Sequence, residues 1–474
     1  NAGVQAFPSS AGLNLRAANP PVIPVPKFAV PRTYADNFAD NPAFNAQAMP
    51  DPRLRTPYVQ QWNFGIQREI GKAVLEVRYL GNKTTKAWRG IDYNQIIIKE
   101  NGFLADFQRA QSNGNLARAR NGTFNPAFNP NIPGSQRLTV FPLLENGGYL
   151  TDGVVRQLID QGQAGELAYV YKTNEIQGDV NFYRNENSYG TNLMTNYSNA
   201  SYHALQADYT RRYASGLAFQ FYYTYSKVLS DADGRSQVRF EPFLDNASPS
   251  IERSRTSFDQ THTFKLNGSY ELPFGKGRKW QTGSRAVNEV IGGWALAGST
   301  LAASGAPFSV VSQRGTVNRQ TRSGNNTVNT ALTKPELDAF FSLRWTGDGP
   351  VFVPSQAVGA DGRAVAADGR APFAGQVFFQ PAAGTLGTLQ RRWFSGPRFW
   401  STDLALTKSV KFRERQRVDF RAEAFNVANR ANFRNPNYHK ASDTAETLDG
   451  PRYARTVRAL AGAVRALADM PAEK

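Results

Sequence analysis

The chain has 474 residues, 41% of them apolar and 12% aromatic, with a mean hydropathy of −0.48. No run of about 18 apolar residues exists, which excludes a conventional transmembrane helix and leaves a transmembrane barrel open, because barrel strands alternate and read as hydrophilic on average. Cysteine is absent and only His203, His262 and His439 occur, which removes thiol chemistry and disulfides and leaves almost no basis for a multi-histidine metal site, while the net charge of +17 attracts anionic partners without choosing among them.

In chain order, residues 1–58 read as a loop, since prolines from Pro20 to Pro57 are too dense for helix or central strand. From Tyr58 the pattern becomes period two. Trp62, Phe64 and Ile66 alternate with Asn63, Gly65 and Gln67. Gly71-Lys72 turns the chain into 73–80, where Leu75, Val77 and Tyr79 alternate with Glu76 and Arg78. Residues 81–201 lose this rhythm; Asn-Gly pairs at 101–102, 121–122 and 146–147 mark turns, with one short helix expected near 153–161.

A second hairpin spans 203–211 and 217–226 around Ala214-Ser215-Gly216. A strand at 261–272 follows, ending in a Gly-rich turn from Pro273 to Lys279, and two weaker strands are expected within 291–312. Residues 313–397 form another polar excursion, containing the small duplication Ala360–Arg363 and Ala367–Arg370. A last hairpin spans 400–427. Turns at 71–72, 214–216, 273–279 and 413–416 are short, whereas connections at 81–201, 228–258 and 313–397 are long. In an up-and-down sheet these fall on opposite rims, as in outer-membrane barrels.

The pattern predicts Phe219, Phe221, Tyr223, Phe264, Leu266 and Tyr270 on the lipid side, and Asp208, Gln220, Thr224, Lys265, Asn267 and Arg421 toward the lumen. After a linker from 435, Tyr453, Val457, Leu460, Val464 and Leu467 predict an amphipathic helix over 452–469. A helix where a closing strand would stand predicts a sheet that is open or closed only irregularly.

The run Arg55-Thr56-Pro57-Tyr58-Val59-Gln60-Gln61-Trp62-Asn63 with Gly65-Ile66-Gln67-Arg68 resembles the β-barrel of Oar-like TonB-dependent outer-membrane receptors. So do Tyr202–Gln206, YTYSKVLSDADG at 223–234, ELPFGKGR at 271–278, LQRRWFSGP at 389–397 and FRAEAFNVANRANF at 420–433. The resemblance runs from about 50 to 434 and implies the C-terminal barrel portion of such a receptor, 59–434. The partners it implies are outer-membrane lipid and lipopolysaccharide, an unidentified ligand (glycan, peptide or metal chelate), and the TonB system acting through a plug domain absent from this chain. The chain opens neither with Met nor with a secretion signal, so a processed precursor or an internal piece is expected.

Candidate sites carry bland readings beside the functional ones. Asp231, Asp233 and Gly234 resemble the start of a Ca²⁺ loop, but Pro242 stands where the bidentate Glu belongs, so an ordered turn is expected and no metal. Gly275-Lys276-Gly277 lacks P-loop spacing and reads as a turn. His203 and His262 sit near strand starts with no paired acid, and no nucleophile with its base is visible, so neither an enzyme nor a cofactor is expected. Arg391, Arg392, Arg398, Arg413, Arg415 and Arg417 cluster around the last hairpin, as contacts to lipopolysaccharide phosphates or anionic ligand, or as solvated rim charge. Nucleic acid is not expected, because no recognition motif accompanies the charge. The rival to a membrane receptor is a surface or soluble β-sheet protein binding a glycan or anionic ligand.

Overall fold

The computed structural model describes residues 46–186, 188, 190–232, 243–319, 326–346, 349–413 and 416–430, together with Asp36. The helix predicted at 452–469 lies outside the described residues. One sheet dominates, made of β1 (Ala46–Pro50), β2 (Tyr58–Ile70), β3 (Ala73–Asp92), β4 (Gly190–Ala214), β5 (Leu217–Ser230), β6 (Ser254–Arg255), β7 (His262–Glu271), β8 (Trp294–Ala303), β15 (Phe399–Arg413) and β16 (Gln416–Ala424). Three small pairs stand apart from it in the connection between β8 and β15. These are β9 (Pro307–Phe308) with β14 (Phe394–Ser395), β10 (Asn329–Thr330) with β13 (Phe378–Phe379), and β11 (Arg344–Thr346) with β12 (Gly349–Val351).

The eight long strands run β16-β15-β8-β7-β5-β4-β3-β2, every neighbour antiparallel. This is the expected meander, and it is open: β2 and β16 end the order without pairing to each other. Two short strands lie off this path. β6 extends the outer end of β5, and β1 pairs in parallel with the start of β4, inside the segment whose prolines read as loop.

Register separates two chemistries. Ile66, Val77, Ala207, Tyr223, Phe264, Ala302 and Trp400 form one cross-strand row. The adjacent row, on the other face, is Gln67, Glu76, Asp208, Tyr222, Lys265, Leu301 and Ser401. Directly paired residues share a face and successive residues alternate. All six residues expected on the lipid side therefore fall on the apolar face, and all six expected toward the lumen fall on the other.

Among the described residues, the apolar face packs against neither hydrophobic core. Phe64 is 68% exposed and Ile66 64%, and neither hydrophobic core contains a residue of the eight long strands. Both cores lie instead in the long connections. The first gathers around Phe103, Phe107, Phe141, Tyr171 and Phe182, the second around Phe341, Phe378 and Phe394.

The excursion between β3 and β4 is thus a folded unit, with more helix than the one short helix expected. It carries α1 (Phe103–Asn121), α2 (Gly153–Asp160) and α3 (Ala164–Thr173). Only α2 was visible in the sequence. The Asn-Gly pairs flanking α1 do mark positive φ, but as helix caps: Gly102 and Gly122 both have φ 75. On the opposite rim, the turn at 273–279 is the first part of a longer connection, 272–293, which includes α4 (Arg285–Ile291). A fifth short helix, α5 (Lys334–Phe340), belongs to the second core, with Leu337 buried in it.

Candidate functional site: the outer cap and its cleft

The three long connections meet above one rim of the sheet and lock together through buried polar groups. Arg89, from the outer end of β3, donates to Glu252 Oε2 at 2.6 Å and to the carbonyl of Asp231. Arg391 reaches the same Oε2 from the third excursion at 3.1 Å, and Glu252 Oε1 accepts from the Leu244 N–H at 2.6 Å. The side chains of this triad are between 1% and 7% exposed. Arg89 also lies 4.2 Å from the Phe243 ring centroid. Beside the triad, Arg255 donates to the carbonyls of Arg392, Trp393 and Phe394 and to Ser395 Oγ. Burial pushes Arg255 down from the usual guanidinium value, against the pull of Asp259 3.7 Å away. Burial likewise pushes the Asp259 carboxyl up, although the Val228 N–H and Arg255 oppose it.

The first excursion is anchored on Asp106, whose buried carboxylate accepts N–H bonds from Thr139, Val140 and Phe141 and a two-pronged contact from Arg109. Burial alone would raise this carboxyl, but those donors together hold it below the ordinary carboxylate range. The first and third excursions then meet backbone to backbone. Glu166 N–H donates to the Gly315 carbonyl at 3.0 Å, and Gly315 N–H donates to Gln163 Oε1 at 3.0 Å. Gly165 is required there, because a Cβ would stand 2.4 Å from the Asn318 nitrogen.

Where all three excursions approach, they leave a cleft of about 370 Å³. Tyr93, Lys99, Glu100, Arg184, Asp245 and Asn246 supply its aromatic and polar lining over a floor of Ile96 to Ile98. The buried Asn246 side-chain oxygen has no hydrogen-bond partner among the described residues, while its nitrogen donates to the Asp92 carbonyl. A second, more polar cleft of about 740 Å³ separates the C-terminal end of α1 from the second copy of the Ala-Asp-Gly-Arg duplication, at Asp368, Gly369 and Arg370. Both volumes fall in the range of small-molecule sites.

The sequence candidates distribute as follows. Arg391 and Arg392 are bonded into the cap, Arg392 donating to Ser254 Oγ, and Arg398 lies exposed on the same rim. Arg413 stands at the opposite end of β15, and Arg417 beyond the following turn; Arg415 lies outside the described residues. One expected arginine cluster is therefore two, separated by a strand roughly 45 Å long. Asp231 accepts the Asn199 N–H at 3.1 Å through its carboxylate, a structural anchor, while Asp233 and Gly234 lie outside the described residues. Gly275 and Gly277 have φ 97 and 74, as a turn requires.

His203 and His262 play matching parts on the apolar face near the cap. Tyr79 Oη and His203 Nδ1 are 2.7 Å apart, and Tyr223 Oη and His262 Nδ1 are 2.8 Å apart. With Tyr225 and Trp400 these rings form an aromatic band toward the outer rim. Trp294 and Phe420, both paired with Lys408, form a second band with Tyr270 on the same face toward the short-turn rim. About eight residues separate the bands along a strand, roughly 26 Å, comparable with the apolar height of outer-membrane barrels.

A family model described as an outer membrane beta barrel domain matches residues 2–458. The chain belongs to this outer membrane beta barrel family. Its place is the outer membrane, an environment in which an exposed apolar sheet face meets lipid. No curated protein matches the chain. Among solved structures, it is similar to the outer membrane transporter YddB from Escherichia coli, at 8% identity and TM-score 0.32, covering 81% of this chain and 31% of that one. It is also similar to FpvA of P. aeruginosa, solved bound to heterologous pyoverdines, at 9% identity and TM-score 0.30, covering 80% of this chain and 24% of that one. This barrel-family chain thus spans about a third or less of either structure's length.

Proposed function

We propose that the chain supplies barrel wall and ligand-receiving outer cap to a receptor that takes up a ligand across the outer membrane. The observation that carries this reading is the cleft, built by all three long connections on one rim of a sheet whose polar face continues below it. A purely structural barrel has no need of a cap with two cores and a buried ion triad. In the cleft, Lys99, Glu100, Arg184 and Asp245 offer both signs of charge around Tyr93, which suits a polar ligand with ionic groups beside an apolar part. The chemistry asked of these residues is recognition and release, without catalysis. The Oar-like resemblance adds energy coupling: the TonB system would act on the receptor's plug domain.

The test compares cells carrying the intact receptor, the Arg184→Glu/Asp245→Lys receptor, or no receptor. Each is supplied in turn with glycans, peptides and iron chelates, with and without a functional TonB system. The reading expects one ligand class to be lost with the receptor, with the double variant and with TonB alike. Uptake of every class unaffected by removing the receptor would contradict it. Loss with the receptor but not with TonB would leave uptake standing and remove the energy coupling.

A further inference from the structure

The short-turn rim carries a feature that ligand capture does not use. In the connection between β7 and β8, residues 276–287 are exposed throughout. Phe274 and Trp280 stack with ring centroids 5.0 Å apart, and Lys279 Nζ lies 5.4 Å from the Trp280 ring. Helix α4 buries none of its residues, and Val287 and Val290 stand 43% and 69% exposed.

Lys408 shows on which side of the sheet this helix sits. Its Nζ donates to the carbonyls of Glu289 and Val290, both at 2.6 Å, and to that of Gly292 at 3.0 Å. Trp294 Nε1 donates to the same Val290 carbonyl at 3.0 Å. Lys408 is paired across the sheet with Trp294 and Phe420, so all three lie on the apolar face. The C-terminal end of α4 is therefore fastened to the lipid-facing side of the wall, at its short-turn edge. Exposed apolar groups and the exposed cations Lys276, Lys279 and Arg285 occupy one connection there.

We propose that residues 272–293 form an interfacial foot that binds anionic phospholipid headgroups of the inner leaflet. The proposal rests on the membrane-spanning placement of the sheet, with short turns facing the periplasm. An apolar surface continuous with the lipid-facing wall sets the depth, and the cations meet the phosphates. Amphipathic segments bind interfaces by this combination of buried apolar area and charge attraction.

The test titrates the purified full chain, in neutral detergent, with phosphatidylglycerol or phosphatidylcholine and counts retained lipids by native mass spectrometry. Phosphatidylglycerol is expected to be held preferentially and not to be displaced by excess inorganic phosphate. Each cation near an anionic surface contributes about fivefold in affinity, so Lys276→Gln/Lys279→Gln/Arg285→Gln should weaken phosphatidylglycerol binding by at least about tenfold. Arg120→Gln/Arg363→Gln, on the cap, should change it less than about twofold. Equal retention by the triple variant and the parent overturns the foot, as does displacement by inorganic phosphate. A parent chain that stays monodisperse without detergent overturns the membrane-spanning placement itself, and the foot with it.

Discussion

Glu252 is the residue on which the cap depends most. Its carboxylate is the shared partner of two buried guanidinium groups, Arg89 and Arg391, so its removal strands two cations away from water. Breaking a buried pair by deleting one partner costs about 3–5 kcal/mol, most of it the uncompensated charge. Glu252→Gln should therefore lower the cap's melting temperature and open it to trypsin. Arg391→Met should do less, because Arg89 keeps its partner; equal melting of Glu252→Gln and the parent would show that the triad is not buried in solution. Asp106 gives a pH signature. Its folded pKa lies below the ordinary value of 3.8, so its stabilising effect is complete above that value and is lost as pH falls through the depressed folded pKa. Asp106→Asn should weaken the first excursion near neutral pH by about 1–3 kcal/mol and flatten its acid unfolding limb. Acid titration followed by near-ultraviolet circular dichroism reads both effects. The triad could not be read from the sequence, since Glu252 and Arg391 are 139 positions apart and no spacing rule links them.

At the scale of elements, the strands were legible where they cross lipid and illegible above it. Trp62, Phe64 and Ile66, or Phe219, Phe221 and Tyr223, alternate because one face meets an apolar medium and the other does not. Beyond Gly81 that contrast ends: Thr84, Thr85 and Lys86 are polar on both faces, yet β3 continues to Asp92 because β4 remains beside it as a pairing partner. Helix α1 was hidden for another reason. Gly114 and Asn113 interrupt it, but Asn113 is bonded to the Gln136 and Pro126 carbonyls and Gly114 admits the Phe124 ring, so tertiary contacts override weak propensity. The arginine cluster misled because neighbours in sequence lie at opposite ends of one long strand. Two outcomes follow at this scale. Gly165→Ala places a Cβ against the Val317–Asn318 backbone and should separate the first excursion from the third, costing about 1–3 kcal/mol, detectable as faster hydrogen exchange at Glu166. Leu266→Arg and its neighbour Asn267→Arg should differ by about 2–4 kcal/mol in membrane-folding equilibrium, the first being the destabilised one; equal costs would contradict a lipid-facing assignment.

At the scale of the whole molecule, the described residues form a curtain of eight long strands with an apolar side, a polar side and a folded cap on one rim. Among the described residues no strand lies beyond β2 or β16, and in lipid the donors and acceptors of such edges require a partner strand. The absence of cysteine makes the central claim directly measurable, because a single introduced cysteine is the only attachment point for a spin label. The measurement places labels one at a time at Ile66→Cys, Phe221→Cys and Leu266→Cys, and at Gln67→Cys, Gln220→Cys and Asn267→Cys. Collision with oxygen, which concentrates in lipid, is then compared with collision with a water-soluble nickel chelate, for the chain reconstituted in bilayers. A lipid-facing apolar side predicts oxygen-dominated collisions at the first three and nickel-dominated collisions at the other three, alternating residue by residue along β2, β5 and β7. Loss of that alternation, with both sets equally open to water or equally shielded from lipid, would contradict it.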